Sequence, residues 1–175
     1  MSEEIKITTQ QHPAGDRDVP SVSVIIVSDY SSSDESGWDQ LRRSLLAIKA
    51  QDFEEPAEFL LIENETCADR IPADIAELLP GLRIVGSPSV SSYTLKNEGA
   101  RLAAAELLAI LDADCAPAPD WLSRLVEVLR RHPDAAAVNG TVTYPGRNLL
   151  ERLLGLLDRA YLNRVKTGET DSLNN

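Results

Sequence analysis

The 175-residue chain is 43% hydrophobic and carries 17 Lys plus Arg against 28 Asp plus Glu, a net charge of -11. That size and apolar content suit about one domain with a real core, and the acidic balance excludes a nonspecific nucleic-acid binder, whose phosphate partner demands a basic surface. Two cysteines without a CxxC pair, and two histidines, support neither a disulfide framework nor a structural zinc site and fit a reducing cytosol.

The opening "MSEEIKITTQ" is acidic where a signal peptide would be basic. No apolar run approaches the roughly 18 residues needed to span a bilayer, so the chain is read as soluble and cytoplasmic. Residues 1–19 read as a flexible lead-in rich in Gln, Asp, Gly and Pro. The domain proper is expected over residues 20–147. "VSVIIV" (22–27) is a continuous β-branched run, the pattern of a strand covered on both faces, and a polar loop, "SDYSSSDESG", follows it. Trp38, Leu41, Leu45, Leu46 and Ile48 recur at near-helical spacing and lead to a second buried strand, "EFLLIE" (58–63). "PADIAELL" (72–79) predicts a short helix opened by proline, "LRIVG" (82–86) a strand, and residues 92–105 a helix ending in an Ala-rich stretch. The strand "LLAIL" (107–111) comes next. Beyond it Trp121, Leu122, Leu125, Val126 and Leu129 form one helical face, and "AAAVNGTVTY" (135–144) reads as a further strand. Residues 148–175 hold an amphipathic pattern, Leu149 to Tyr161, and a tail. That pattern suits a helix packed on its own domain, or one lying on a membrane surface or a partner.

Strands alternating with helices predict an α/β fold: a mainly parallel, twisted sheet with helices on both faces, which binds ligands at the carboxyl ends of its strands. The chemistry-bearing residues fall at those ends. Asp112 and Asp114 close the fourth strand one residue apart, and in an extended chain alternate side chains face the same way. Two converging carboxylates are costly unless a cation satisfies them, and a Mg- or Mn-type ion prefers few carboxylates plus water and phosphate oxygens. Ser28, Asp29 and Glu63 sit at neighbouring strand ends, where they can read a nucleoside. Asp29 equally suits an ordinary loop or cap, Glu63 a solvated strand end and Lys96 a plain surface lysine. Lys96 and Asn97 fall in the first turns of the predicted fourth-strand-preceding helix, where helix end and cation both favour phosphate. Cys115, with no histidine near it in sequence, reads as a small packed residue.

In order, "VSVIIVSDY", "AEFLLIENET", "TLKNEGARLAAAELLAILDADC" and "PAPDWLSRLVEVL" resemble the family 2 glycosyltransferases of GT-A fold over residues 20–144. The resemblance implies a Rossmann-like nucleotide-diphospho-sugar transferase fold and a donor site. In it Val27, Ser28 and Asp29 line the nucleoside, Glu63 pairs with the base, Lys96 is the basic residue, Asp112 lies near the ribose and Asp114 binds the metal, Mn or Mg. It implies a nucleotide-diphosphate sugar as partner, a UDP-sugar foremost, with the acceptor unassigned and an inverting outcome favoured. Arg101 takes no role.

The chain also departs from the family pattern. It has Asp29-Tyr30 where Tyr-Asn is common, and Glu63-Asn64-Glu65-Thr66 where Asp-Asp-Gly-Ser is common. The acceptor half that supplies a catalytic aspartate is expected to start about where this sequence stops. Asp120, Glu127, Asp134, Glu151 and Asp158 lie on predicted helices or their ends, so no general base is assigned. The expectation is therefore the donor-binding half of a transferase, with an exposed edge and apolar face that favour self-association. The alternatives are a noncatalytic nucleotide-sugar-binding or interaction module and a phosphatase of the haloacid-dehalogenase type. The latter places its DxD after the first strand, whereas this chain places it after the fourth.

Overall fold

The computed structural model describes residues 19–28, 35–142, 148–150 and 153. Its elements follow the expected alternation. β1 (Val22–Ser28) is followed by α1 (Glu35–Lys49), β2 (Ala57–Asn64), two four-residue helices α2 (Glu65–Ala68) and α3 (Ala73–Ala76), β3 (Leu82–Ser87), α4 (Ser92–Leu102), β4 (Leu107–Asp112) and α5 (Trp121–Arg131). All pairings are parallel and the strand order is β3-β2-β1-β4. The fold is thus the α/β parallel sheet that the sequence predicts.

β1 is an interior strand, paired on both sides, and all seven of its residues are buried. That is why its sequence is continuously apolar rather than alternating. Paired residues share a face of the sheet and alternate along each strand. The register therefore puts Ile25, Val27, Leu60, Ile62 and Val85 on one face, where Leu95 of α4 joins them in one core cluster. Each fully buried side chain of this size contributes about 1.5–3 kcal/mol relative to exposure. Gly99 lets α4 come this close: a Cβ there would overlap Ile25 Cγ2 and lie 3.1 Å from Ile62 Cγ1. The opposite face carries Val24, Ile26, Leu61 and Glu63, all buried. At the amino end of that face, Phe59 lines a cavity of about 310 Å³ together with Ile48, Leu79 and Leu122.

A polar lock closes the amino ends of the strands under α4. Glu58 accepts hydrogen bonds from Ser23 Oγ at 2.6 Å and from the Ala104 backbone N–H at 2.8 Å, and pairs with Arg83 at 3.3 Å. Ser23 Oγ in turn accepts from the Ala105 N–H at 3.0 Å. The turn from α4 into β4 is held by side chains from β1 and β2.

Three differences from the sequence reading have local causes. The helix expected over 72–79 is the single turn Ala73–Ala76, because the Leu78 N–H bonds back to Ile75 and the chain then turns through Gly81 at φ +79°. Residues 135–142 form no strand: Ala135–Ala137 and Asn139–Gly140 have weak β propensity, and a turn from His132 to Ala135 precedes them. Residues 143 and 144 of that expectation, and most of the helix expected from 148, lie outside the described residues. Finally, the strand expected over 107–111 runs to Asp112, and the extended alternation read for Asp112 and Asp114 stops there. The chain divides into two compact units at Ser123/Arg124, a boundary inside α5.

Candidate active site

The register by itself gathers the strand ends. Ser28 pairs with Glu63, and Glu63 with Gly86; one row back, Val27 pairs with both Ile62 and Asp112. Neighbouring strands lie about 4.8 Å apart. Val27, Ser28, Glu63 and Asp112 therefore share one carboxyl edge, within two strand spacings of one another. Their side chains do not all point one way. Asp112 lies on the α4 face with Val27, whereas Glu63 and Ser28 lie on the other.

Lys96 arrives from α4. The helix begins at Ser92, just beyond the end of β3, so its amino end stands at the same carboxyl edge of the sheet. Lys96 is one turn in, and its Nζ lies 3.0 Å from Asp112 Oδ1. Its side chain is only 13% exposed while that of Asp112 is 41% exposed, so the ammonium is enclosed and the carboxylate faces outward. Oδ1 itself is buried and has no well-directed hydrogen bond, so the contact is a charge pair rather than an aligned donor and acceptor. The first turn of α4 carries no acidic residue, leaving its electrostatics favourable to an anion.

Asp114 is placed differently from Asp112. The Ala113 N–H still bonds to Val27 O at 2.9 Å, but the Cys115 N–H bonds to Asp112 O at 3.0 Å and closes a turn. Asp114 therefore sits in a turn, exposed, with Oδ1 accepting from the Cys115 thiol at 3.4 Å. The extended alternation expected to align the two carboxylates stops at the first of them. Among the described residues, no group of three or more His, Cys, Asp or Glu side chains is placed to hold a metal ion.

Glu63 is fully buried, and its Oε1 accepts its neighbour's backbone N–H, that of Asn64, at 2.6 Å. Asp29 lies outside the described residues.

These strand ends, in this order on this sheet, invite comparison with known transferases. The sequence matches the glycosyl transferase family 2 over residues 23–172. The chain belongs to that family. It is also 28% identical over 120 residues to the glucosyl-dolichyl phosphate glucuronosyltransferase of Haloferax volcanii, a match covering 67% of this chain and 37% of that relative. The chain thus spans well under half the length of this curated family 2 relative. Among the described residues, no helix is long and apolar enough to cross a membrane.

One residue at this edge was not singled out from the sequence. Asn64 closes β2, accepts hydrogen bonds from the Thr66 N–H and hydroxyl, and donates to the carbonyls of Ser87 and Ser89. The signal was present in "ENET", where an Asn two residues before a Thr is a helix-capping pattern that opens α2.

Proposed function

We propose that this domain binds the nucleotide-diphosphate sugar of a family 2 glycosyltransferase, a UDP-sugar foremost, for transfer of the sugar to an acceptor hydroxyl. The observation that carries the reading is Lys96, enclosed on α4 and paired at 3.0 Å with Asp112 at the sheet's carboxyl edge, in a chain of this family. In this reading the backbone of Val27 and Ser28, with Asp29 beyond them, lines the nucleoside. The base is read at the end of β2, where the Glu63 carboxylate, fully buried in the unliganded chain, has to be uncovered to accept a hydrogen bond from it. Asp112 takes a ribose hydroxyl once Lys96 turns its ammonium to the diphosphate. Both partners of the resting ion pair thereby gain a ligand group, so binding does not strand a charge.

Among the described residues, the donor set fits a divalent cation through Asp114. Asp114 offers an exposed carboxylate, and the other ligands would be phosphate oxygens and water, the pattern Mg²⁺ and Mn²⁺ accept. Such an ion, when bound, acts as a Lewis acid on the leaving diphosphate. The chain's own residues hold and orient the donor, and the catalytic base is assigned to none of them. The relative's name makes a glucuronosyl donor and a dolichyl-phosphate-linked acceptor the first pair to try.

Calorimetric titration of UDP and GDP, with and without Mn²⁺, tests the reading on the wild-type chain and on Asp114→Asn. Metal-dependent UDP binding that the substitution abolishes is the expected result. Metal-dependent binding left intact in Asp114→Asn removes the assignment of the metal to that residue, and no binding of either nucleotide removes the donor site.

A further inference from the structure

The amide of Asn64 uses both of its ends. Nδ2 donates to Ser87 O and to Ser89 O, each at 3.3 Å, while Oδ1 accepts from the Thr66 N–H at 3.1 Å and the Thr66 hydroxyl at 2.6 Å. An amide offers two donors and two acceptor positions, so this one is filled on both sides. The groups it joins come from separate segments: α2, which follows β2, and the end of β3 at Ser87 with the loop that leads from it, through Ser89, into α4. The loop carries its own ladder, with the Ser89 N–H donating to Ser87 Oγ and the Ser91 N–H to Ser89 Oγ, each at 3.1 Å. α4 starts at the next residue, Ser92. Whatever fixes Ser87 and Ser89 therefore fixes where α4 begins, one turn before Lys96.

We propose that Asn64 is a positioning residue for the donor site: its amide anchors the β3–α4 loop to the end of β2 and so sets where α4 presents Lys96 to Asp112 and to a bound diphosphate. This rests on the donor-site reading above. The same residue's backbone N–H holds Glu63 Oε1 at 2.6 Å, so one position steadies both the base-reading carboxylate and the phosphate-reading ammonium. The contacts of this chain are those of an amide, at a position where the family commonly carries Asp. A carboxylate of the same shape keeps the acceptors toward Thr66 but turns the two donors into oxygens facing carbonyl oxygens. Asn64→Asp is thus nearly isosteric and still opposed to the loop.

The experiment compares wild type, Asn64→Asp and Thr66→Ala by calorimetric UDP titration and by amide exchange at Ser89 and Ser91. Thr66→Ala removes the hydroxyl bond to Asn64 Oδ1 and leaves the Nδ2 bonds in place, so it perturbs the same residue from the side away from the loop. Asn64→Asp is expected to weaken UDP binding by about tenfold or more, with faster exchange at Ser89 and Ser91, while Thr66→Ala stays within about twofold of wild type in both. Should Asn64→Asp fail to fold, Asn64→Ala, which deletes the donors without adding repulsion, carries the same expectation. Wild-type affinity in the folded Asn64 variant, or an equal loss in Thr66→Ala, overturns the positioning role while the donor site stands. Absence of UDP and GDP binding in the wild type overturns the donor site itself, and the positioning role with it.

Discussion

Gly99→Ala sets two opposed effects against each other at one position. In a helix interior Ala is favoured over Gly by about 0.8–1.0 kcal/mol, so an exposed site would gain stability. Here the new methyl would overlap Ile25 Cγ2 and meet Ile62 Cγ1 at 3.1 Å and Ile25 Cγ1 at 3.4 Å. Both isoleucines are 0% exposed, and a β-branched side chain has little rotameric freedom with which to yield. The helix must lift instead, by something on the order of 1 Å, a gap that forfeits a quarter to a half of each dispersion contact along the seam. Overpacking of this kind costs about 1–3 kcal/mol. The outright overlap with Ile25 places this cost in the upper half of that range, so the expected net is a destabilisation of roughly 1–2 kcal/mol once the propensity gain is set against it. Urea titration reads this as a lower midpoint at unchanged slope. The same lift would draw Lys96, three residues earlier on α4, away from its 3.0 Å contact with Asp112, so UDP affinity should fall as well. The control is the double-mutant cycle: with Ile25→Ala in place only the 3.1 Å contact with Ile62 Cγ1 remains, and Gly99→Ala should cost clearly less than it does in the wild-type background. A Gly99→Ala protein as stable as wild type, or more so, would refute the close approach of α4 to β1 and β2.

The remaining predictions concern charge and the polar lock. Lys96→Met keeps the side-chain volume and deletes the ammonium; since Asp112 is 41% exposed, the stability loss should be no more than about 1 kcal/mol, while UDP affinity falls by about tenfold or more in calorimetry. Glu58→Ala strands the Ser23 hydroxyl, the Ala104 N–H and Arg83 together, and because Arg83 remains one-third exposed the expected cost is about 2–3 kcal/mol rather than that of a fully buried pair, read by thermal and urea unfolding. Gln51→Ala cuts the bonds from Nε2 to Ala118 O at 2.7 Å and from the Leu122 N–H to Oε1 at 2.9 Å; about 1–2 kcal/mol should be lost in the same assays, with no change in nucleotide affinity because these bonds lie at the other end of the sheet.

The strands were legible in the sequence because burial on both faces leaves an unbroken apolar run, and "VSVIIV" and "LLIE" have no other economical use. Their parallel order followed from the intervening helices. What the sequence could not carry were features set by partners distant along the chain. The strand read at 135–144 had the right residues only in part, and a strand needs a neighbour as well as a composition. Glu58 looked like one more charge at a strand start; its place at the centre of Ser23, Arg83 and Ala104 depends on residues 35, 25 and 46 positions away. Asn64 likewise bonds to carbonyls 23 and 25 residues on, which no local pattern announces.

The aspartate pair shows the same division within three residues. Spacing alone treats Asp112 and Asp114 as equivalent carboxylates on one side of an extended chain. The structure separates them by the end of the ladder: Asp112 is the last strand residue and already has a cation, whereas Asp114 lies in the turn that follows, exposed and accepting from the neighbouring Cys115 thiol. A carboxylate that holds an ammonium at 3.0 Å gives a divalent ion a competitor, and an exposed one in a turn does not. On the proposed donor-site reading the two positions take different tasks, ribose and Lys96 for the first and metal for the second. Asp112→Asn and Asp114→Asn should separate accordingly in calorimetry, the former weakening UDP binding with and without Mn²⁺ and the latter only the Mn²⁺-dependent part. Identical losses from the two substitutions would mean that they act as one site after all.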